Sequence, residues 1–422
     1  MKTLRAVSSA VPVSSLAGLV AAALFVPACA SATSVETDVD SDVASREDAV
    51  TDVVQSTVKR QSIGNCWVYA ASTWTESLNL SATNTELNTS ESYVTYWHWF
   101  EQLTSGQVRG TEVPTGGWFQ TATSLMNRYG VVAEADFIVE EATVIESRRQ
   151  ATALDVMNES LQNGVLKTAA ARRDRALVRS ELDRAFALAP TVKATLDRLF
   201  GTAVDRTLTS KDRFGRDLVA TAGSFVRRTR EIPVAFALRP GAPPTRTTLE
   251  YAISVWRASS YRSSDRRTMQ KRIQRALHDK QPVVISWLVD FAALSTTGEF
   301  RAPPTEFGRQ GGHVTVLEDY QVENVPGFGT LPAGVVETRP AALTAALSDR
   351  ATVTFFRTKN SWGGTRPERF PTGFIGYNDL YLDYLNGPIN WCQTRENGDP
   401  DGECLSSTPQ TPLGDIVLPP NY

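Results

Sequence analysis

Cys66, His313 and Asn360 bring a thiol, an imidazole and a side-chain amide into one chain, in that order. Such parts make a cysteine nucleophile, the base that deprotonates it and an orienter that holds the base in line. A thiol is mostly protonated near neutral pH, so it needs partners that lower its pKa. A helix N-terminus and an imidazolium both do so. Each residue sits in an informative run: Gln61-Ser-Ile-Gly-Asn-Cys66-Trp67, Gly311-Gly-His313 and Asn360-Ser-Trp362. The Cys66 backbone N–H and the Gln61 amide are candidates to meet a developing oxyanion. Trp362 is placed to cover a His–Asn hydrogen bond from water. The chain has only three histidines. His98 falls in an aromatic helix and His278 in Ala276-Leu-His-Asp-Lys280, read as a solvated helix end, so His313 is the candidate base.

The elements that must position these groups are legible around them. From Cys66, the residues Trp67, Ala70, Ala71, Trp74 and Leu78 recur at three and four positions, one buried helical face. Ser90 is an N-cap for a second helix carrying the stripe Tyr93, Trp97 and Phe100. A third helix spans about 119–129, with Gly130 as its stop. Residues 141–280 alternate amphipathic stretches with breaks at Pro190 and at Pro240-Gly-Ala-Pro-Pro244, and Thr247-x-x-Glu250 is a capping-box candidate. Val283–Val289, Gly312–Tyr320, Thr352–Lys359 and Gly373–Tyr377 read as strands. The architecture expected is α+β, a helical lobe facing a sheet or barrel lobe across a cleft.

These runs resemble the papain family of cysteine peptidases. Val58-Lys-Arg-Gln61 through Cys66-Trp67-Val-Tyr-Ala70 is similar to the family's nucleophile stretch, and Gly312-His313-Val314 and Lys359-Asn360-Ser361-Trp362-Gly363 to its His and Asn motifs. Gln281-Pro-Val-Val284 matches the strand entering the second lobe. Gly116-Gly117 is similar to the glycine pair whose backbone binds extended substrate. The resemblance covers about 58–138 and 270–385. It implies a two-lobe fold, the Cys on the helical lobe and the His and Asn on a β-barrel-like lobe, and a peptidase acting through a Cys66 thioester without a cofactor. Three departures stand out. Gln61 lies one residue nearer the nucleophile than usual, the customary cysteine just upstream is missing, and Cys66 and His313 are 247 positions apart against about 130–150 in the family. An insertion accounts for the excess.

The domains read as 1–29 signal peptide, 30–57 linker, 58–140 helical lobe, 141–268 Arg-rich helical insertion, 269–390 β lobe and 391–422 C-terminal tail with a disulfide loop. Lys2 and Arg5, the apolar stretch Val11–Val26 and the small residues after it form an export signal. Val26-Pro27-Ala28-Cys29 resembles a lipobox; an acylated Cys29 would attach the protein to a membrane, whereas cleavage after Ala30 or Ala32 would release it. Some 16 apolar positions fall short of the roughly 20 a spanning helix needs. In an oxidising compartment Cys392 and Cys404 are expected to pair, a closure contributing about 2–3 kcal/mol.

Hydrophobic content of 41% and charged content of 21% exclude a disordered chain, and a net charge of −3 gives no reason to expect nucleic acid as a partner. Between residues 141 and 280, basic residues exceed acidic ones by a dozen. This reads as an Arg-coated helical surface, or as charge that steers an anionic partner or docks one part of the chain on another. No zinc set appears, so no metal is expected. The polar loop around Asp399-Pro-Asp401-Gly-Glu403 lacks the twelve-residue calcium pattern. The expected partner is a peptide or protein substrate; the sequence is silent on oligomeric state. Two other readings share the residues. An acyl-enzyme intercepted by an amine makes a transpeptidase or amide transferase, and a papain fold kept for its insertion makes a non-catalytic binding protein.

Overall fold

The computed structural model describes residues 53, 55–219, 225–363, 376–394, 400–404 and 409–422. The proposed signal peptide, nearly all of the proposed linker and the predicted strand start at 373–375 lie outside them. Helices are α1 Cys66–Thr83, α2 Glu91–Thr104, α3 Phe119–Tyr129, α4 Glu134–Phe137, α5 Arg148–Gln162, α6 Ala169–Arg173, α7 Arg175–Ala185, α8 Pro190–Phe200, α9 Leu249–Val255, α10 Arg266–His278, α11 Pro340–Ala346 and α12 Leu382–Asn386. Strands are β1 Pro233–Phe236, β2 Thr245–Thr248, β3 Arg257–Ser260, β4 Val283–Asp290, β5 Glu299–Phe300, β6 Gln310–Val325, β7 Gly329–Leu331, β8 Thr352–Lys359, β9 Tyr377–Tyr381, β10 Cys392–Thr394, β11 Pro400–Cys404 and β12 Leu413–Leu418. The class is α+β.

Eight strands form one sheet in the order β3-β12-β4-β6-β8-β9-β5, with β7 beside β6. It is an open sheet, which corrects the barrel-like lobe expected from sequence. Its two faces bury different cores. Val284, Val314, Val316 and Val417 join the helical core around Trp67 and Trp74, whereas Val283, Ile285, Leu317 and Ile416 join a second core with Ile273, Leu277 and Tyr384. The alternation of adjacent valines between cores is the period of two that a pleated strand imposes.

Helix signals act where they stand. The Ser90 side chain accepts the Tyr93 N–H at 3.2 Å. Gly130, at φ 84°, ends α3; a Cβ there would collide with Val226. The α2 stripe is core, and the Arg-rich segment covers it. Trp97 stacks on Tyr129 with centroids 3.9 Å apart and meets the edge of Phe200 at 5.0 Å. Ala153, Met157, Leu182, Leu196 and Phe200 share that core.

Four sequence readings need correction. Pro190 opens α8 at its first turn rather than interrupting a helix. The cap of α9 is Thr248, whose side chain accepts the Tyr251 N–H at 3.3 Å, not Thr247. His278 is half-buried and hydrogen-bonds the Tyr320 hydroxyl at 2.5 Å instead of being solvated. The C-terminal segment is no tail: β12 lies between β3 and β4 and buries Leu413, Ile416 and Leu418.

Candidate active site

α1 begins at Cys66, lies against β6, and places the sulfur where the Val314 N–H donates to Sγ at 3.3 Å. The preceding residue, His313, is paired across the ladder with Trp287 on β4. Its ring is buried, 1% exposed. Nε2 and Asn360 Oδ1 are 2.7 Å apart, and Nδ1 has no hydrogen-bond partner. Trp362 stacks on the ring with centroids 4.7 Å apart and planes inclined by 19°, and Trp287 meets it edge-on at 5.6 Å. Burial pushes the imidazole pKa down to about 4, with the Asn360 bond acting in the opposite sense.

Asn360 follows the last residue of β8, and its amide is fixed from both ends. Nδ2 donates to Asn378 Oδ1 at 2.8 Å, and Asn378 Nδ2 donates to the Gly298 carbonyl at 2.7 Å. That leaves Oδ1 to accept from His313 and from the Ser361 N–H at 2.7 Å. Asn378 was not singled out in the sequence. Nothing in its run, Tyr377-Asn-Asp-Leu-Tyr381, distinguishes it from any polar strand residue.

Gln61 is tied to the same loop. Its backbone N–H donates to the Ser361 carbonyl at 2.8 Å, and its side-chain oxygen accepts from Ser361 Oγ at 2.6 Å. Nε2 donates to the Ile63 carbonyl at 2.9 Å, so one of the two amide hydrogens expected for an oxyanion is committed to main chain. Gly117 lies under Trp67, whose indole N–H donates to the Thr115 carbonyl at 2.9 Å. A Cβ at 117 would come within 2.5 Å of Trp67 Cε2, which is why this position takes glycine. Gly116, next to it, is half-buried. His98 packs edge-on against Trp67 at 4.6 Å, and burial lowers its pKa to about 4.

Cys66 is disulfide-bonded, as is Cys392, and neither partner sulfur lies within the described residues. This changes the state expected for the nucleophile: an oxidised sulfur offers no thiolate until it is reduced. Cys392 faces Cys404 across the β10–β11 ladder, and the Cys404 side chain is outside the described residues. Cys29 is outside them as well.

Beneath the Gln61 loop sits a buried charge cluster. Lys59 Nζ lies 2.8 Å from Glu91, 3.3 Å from Glu134 and 3.7 Å from Glu76. One cation cannot balance three buried carboxyls, so burial raises Glu91 and Glu134, and it takes Glu141 to about 7. Lys359 extends the link between lobes, donating to Ser56 O at 2.8 Å and Oγ at 2.9 Å. Among the described residues no cluster of His, Cys, Asp and Glu is suited to a metal ion, and no helix is long and apolar enough to cross a membrane.

No family model matches the chain, and no curated protein matches it. Among solved structures it is similar to xylellain, a cysteine protease from Xylella fastidiosa, at 11% identity over 94% of this chain and 98% of that one, with a TM-score of 0.35. It is also similar to the bromelain protease from Ananas comosus in complex with the E64 inhibitor, at 12% identity over 87% and 94% of the two chains, TM-score 0.31. The proform of the Amb a 11 cysteine protease of ragweed pollen matches at 14% identity over 91% and 70%, TM-score 0.32. At these scores the likenesses assign neither family nor activity.

Proposed function

We propose that this chain is an exported cysteine peptidase of papain-like fold that hydrolyses peptide bonds through an acyl-enzyme on Cys66. The observation that carries this reading is the arrangement at His313: one ring nitrogen on Asn360 Oδ1 at 2.7 Å, the other buried without a partner, and the next N–H on Cys66 Sγ at 3.3 Å. Such a ring has one nitrogen left for a thiol proton. In the reduced protein, Nδ1 takes that proton and the thiolate attacks a peptide carbonyl. The tetrahedral oxyanion collapses, the C–N bond breaks, and the imidazolium returns the proton to the leaving amine. Water, deprotonated by the same nitrogen, then hydrolyses the thioester. Trp362 and Trp287 keep bulk water from the ring.

A second reading is favoured by the disulfide at Cys66: a binding protein whose cysteine is structural. Labelling with a thiol-directed epoxysuccinyl peptide separates the two. The mature protein is assayed with and without prior reduction, beside His313→Ala, and the adduct is located by mass spectrometry. Labelling of Cys66 that needs reduction and falls by about 10²-fold or more in the variant supports the peptidase. Equally slow labelling of both reduced proteins supports the binder. Adding an amine acceptor during peptide turnover distinguishes hydrolysis from amide transfer by product mass.

A further inference from the structure

α1 starts without a side-chain cap, although its N-cap residue is Asn65, among the strongest capping residue types. The Asn65 amide is turned into the core, 1% exposed, where Nδ2 donates to Thr95 Oγ1 at 2.9 Å and to Gln150 Oε1 at 2.8 Å. Gln150 lies on α5, in the Arg-rich segment, and is fully buried. Its Nε2 donates to Ser92 Oγ at 3.0 Å, and Ser92 Oγ donates to Glu141 Oε2 at 2.5 Å. The bonds of this chain run in one direction. With its proton given to Glu141, Ser92 Oγ is left to accept the Gln150 NH₂, and the Gln150 carbonyl is left to accept from Asn65. The Asn65 NH₂ is thereby engaged within the core, while its Oδ1, the atom that could cap the helix, is buried without a hydrogen-bond partner.

The same segment holds the adjoining backbone. Arg60 N donates to the Ile145 carbonyl at 2.8 Å, and Ser62 Oγ donates to the Ser147 carbonyl at 2.7 Å. Residues 60–65 are thus gripped at three points by residues 145–150.

We infer that Gln150 is a positioning residue of the active site, which acts through Asn65 to set the first turn of α1 where a substrate oxyanion must be met. The inference rests on the peptidase reading. Its physical content is that an uncapped helix start keeps its N–H groups aimed outward only while the N-cap side chain is held elsewhere. Gln150 does the holding. The Arg-rich segment, in this view, is part of the catalytic frame and not an appendage.

The test uses the reduced full-length mature protein and Gln150→Met, which keeps length and removes both hydrogen bonds. Two probes are compared. A peptide aldehyde forms a reversible hemithioacetal and depends on oxyanion contacts, whereas iodoacetamide reports the thiolate alone across pH 4–8. Gln150→Met is expected to bind the aldehyde roughly tenfold to hundredfold more weakly, a loss well beyond any change in its alkylation profile, because His313 and Asn360 are untouched. Gln150→Glu retains the acceptor for Asn65 and is expected to recover most of that affinity. If Gln150→Met does not fold, Ser92→Ala replaces it, with the same direction expected. Unchanged aldehyde affinity, or equal losses in both probes that follow the thermal midpoint, overturns the inference. Wild-type alkylation no faster than that of an ordinary thiol overturns the peptidase reading instead.

Discussion

His313 is set by hydrogen bonding and packing, not by a neighbouring carboxylate. Its Nε2 partner is a neutral amide and two indoles wall it in, so with a neutral sulfur beside it the ring stays unprotonated down to about pH 4. A thiolate at Cys66 reverses this, since an adjacent negative charge favours the imidazolium. In Cys66→Ser, the His313 ring proton resonance should titrate near pH 4; in the reduced wild type the charged form should persist to distinctly higher pH. NMR of the imidazole C–H signals measures both, and coincident titrations would refute an ion pair. Asn360→Ala removes the acceptor that holds the ring. Its kcat/KM on a peptide substrate is expected to fall roughly tenfold to hundredfold, with a lowered thermal midpoint because Asn378 Oδ1 and the Ser361 N–H lose their partner.

At the scale of elements, β12 has the largest unforeseen role. Ile416 pairs with Ile285 on one side and Ser259 on the other and is fully buried. Ile416→Ala is expected to cost about 2–5 kcal/mol, read as a lowered urea midpoint at unchanged slope. An unaltered midpoint would show that the strand is dispensable. The contrast with β4 explains what sequence could show. Val283–Val289 is apolar but for Ser286 and declares itself; Leu413-Gly-Asp-Ile-Val-Leu418 is broken by Gly414 and Asp415 and follows a polar loop. β3, Arg257-Ala-Ser-Ser260, carries no strand signal and exists because β12 pairs with it. Local chemistry was legible where the cause is local, as with the Ser90 cap, the start of α1 and the His and Asn runs. Asn378, Gln150 and the Tyr320 partner of His278 act across the fold, so no neighbouring residue announces them.

The whole molecule carries buried groups of opposite titration sense. His98, His278 and His313 are all lowered to about 4 by burial. Stability from keeping them neutral is complete above about pH 6.5 and is lost as pH falls toward 4. Glu141 and Asp319 are raised to about 7, and Glu91 and Glu134 are also raised. Their protonated forms favour the native state below the ordinary carboxyl range, and that advantage is lost as pH rises through 7 to 8. Above pH 6.5 only the second set acts, so the thermal midpoint should decline from pH 6.5 to 8. Glu141→Gln should reduce that decline; calorimetry across the range checks it, and a rising midpoint would contradict these assignments. Arginine is likewise distributed otherwise than composition suggests. Arg172 and Arg179 are buried, the first on the Leu166 carbonyl at 2.8 Å and the second on Asp183 at 3.0 Å, so part of the positive bias is internal mortar and not surface field.

The place of β12 also ties a distant part of the sequence to His313. β4 lies between β12 on one side and the strand bearing His313 on the other. Loosening β12 would therefore reach the imidazole through a single intervening strand.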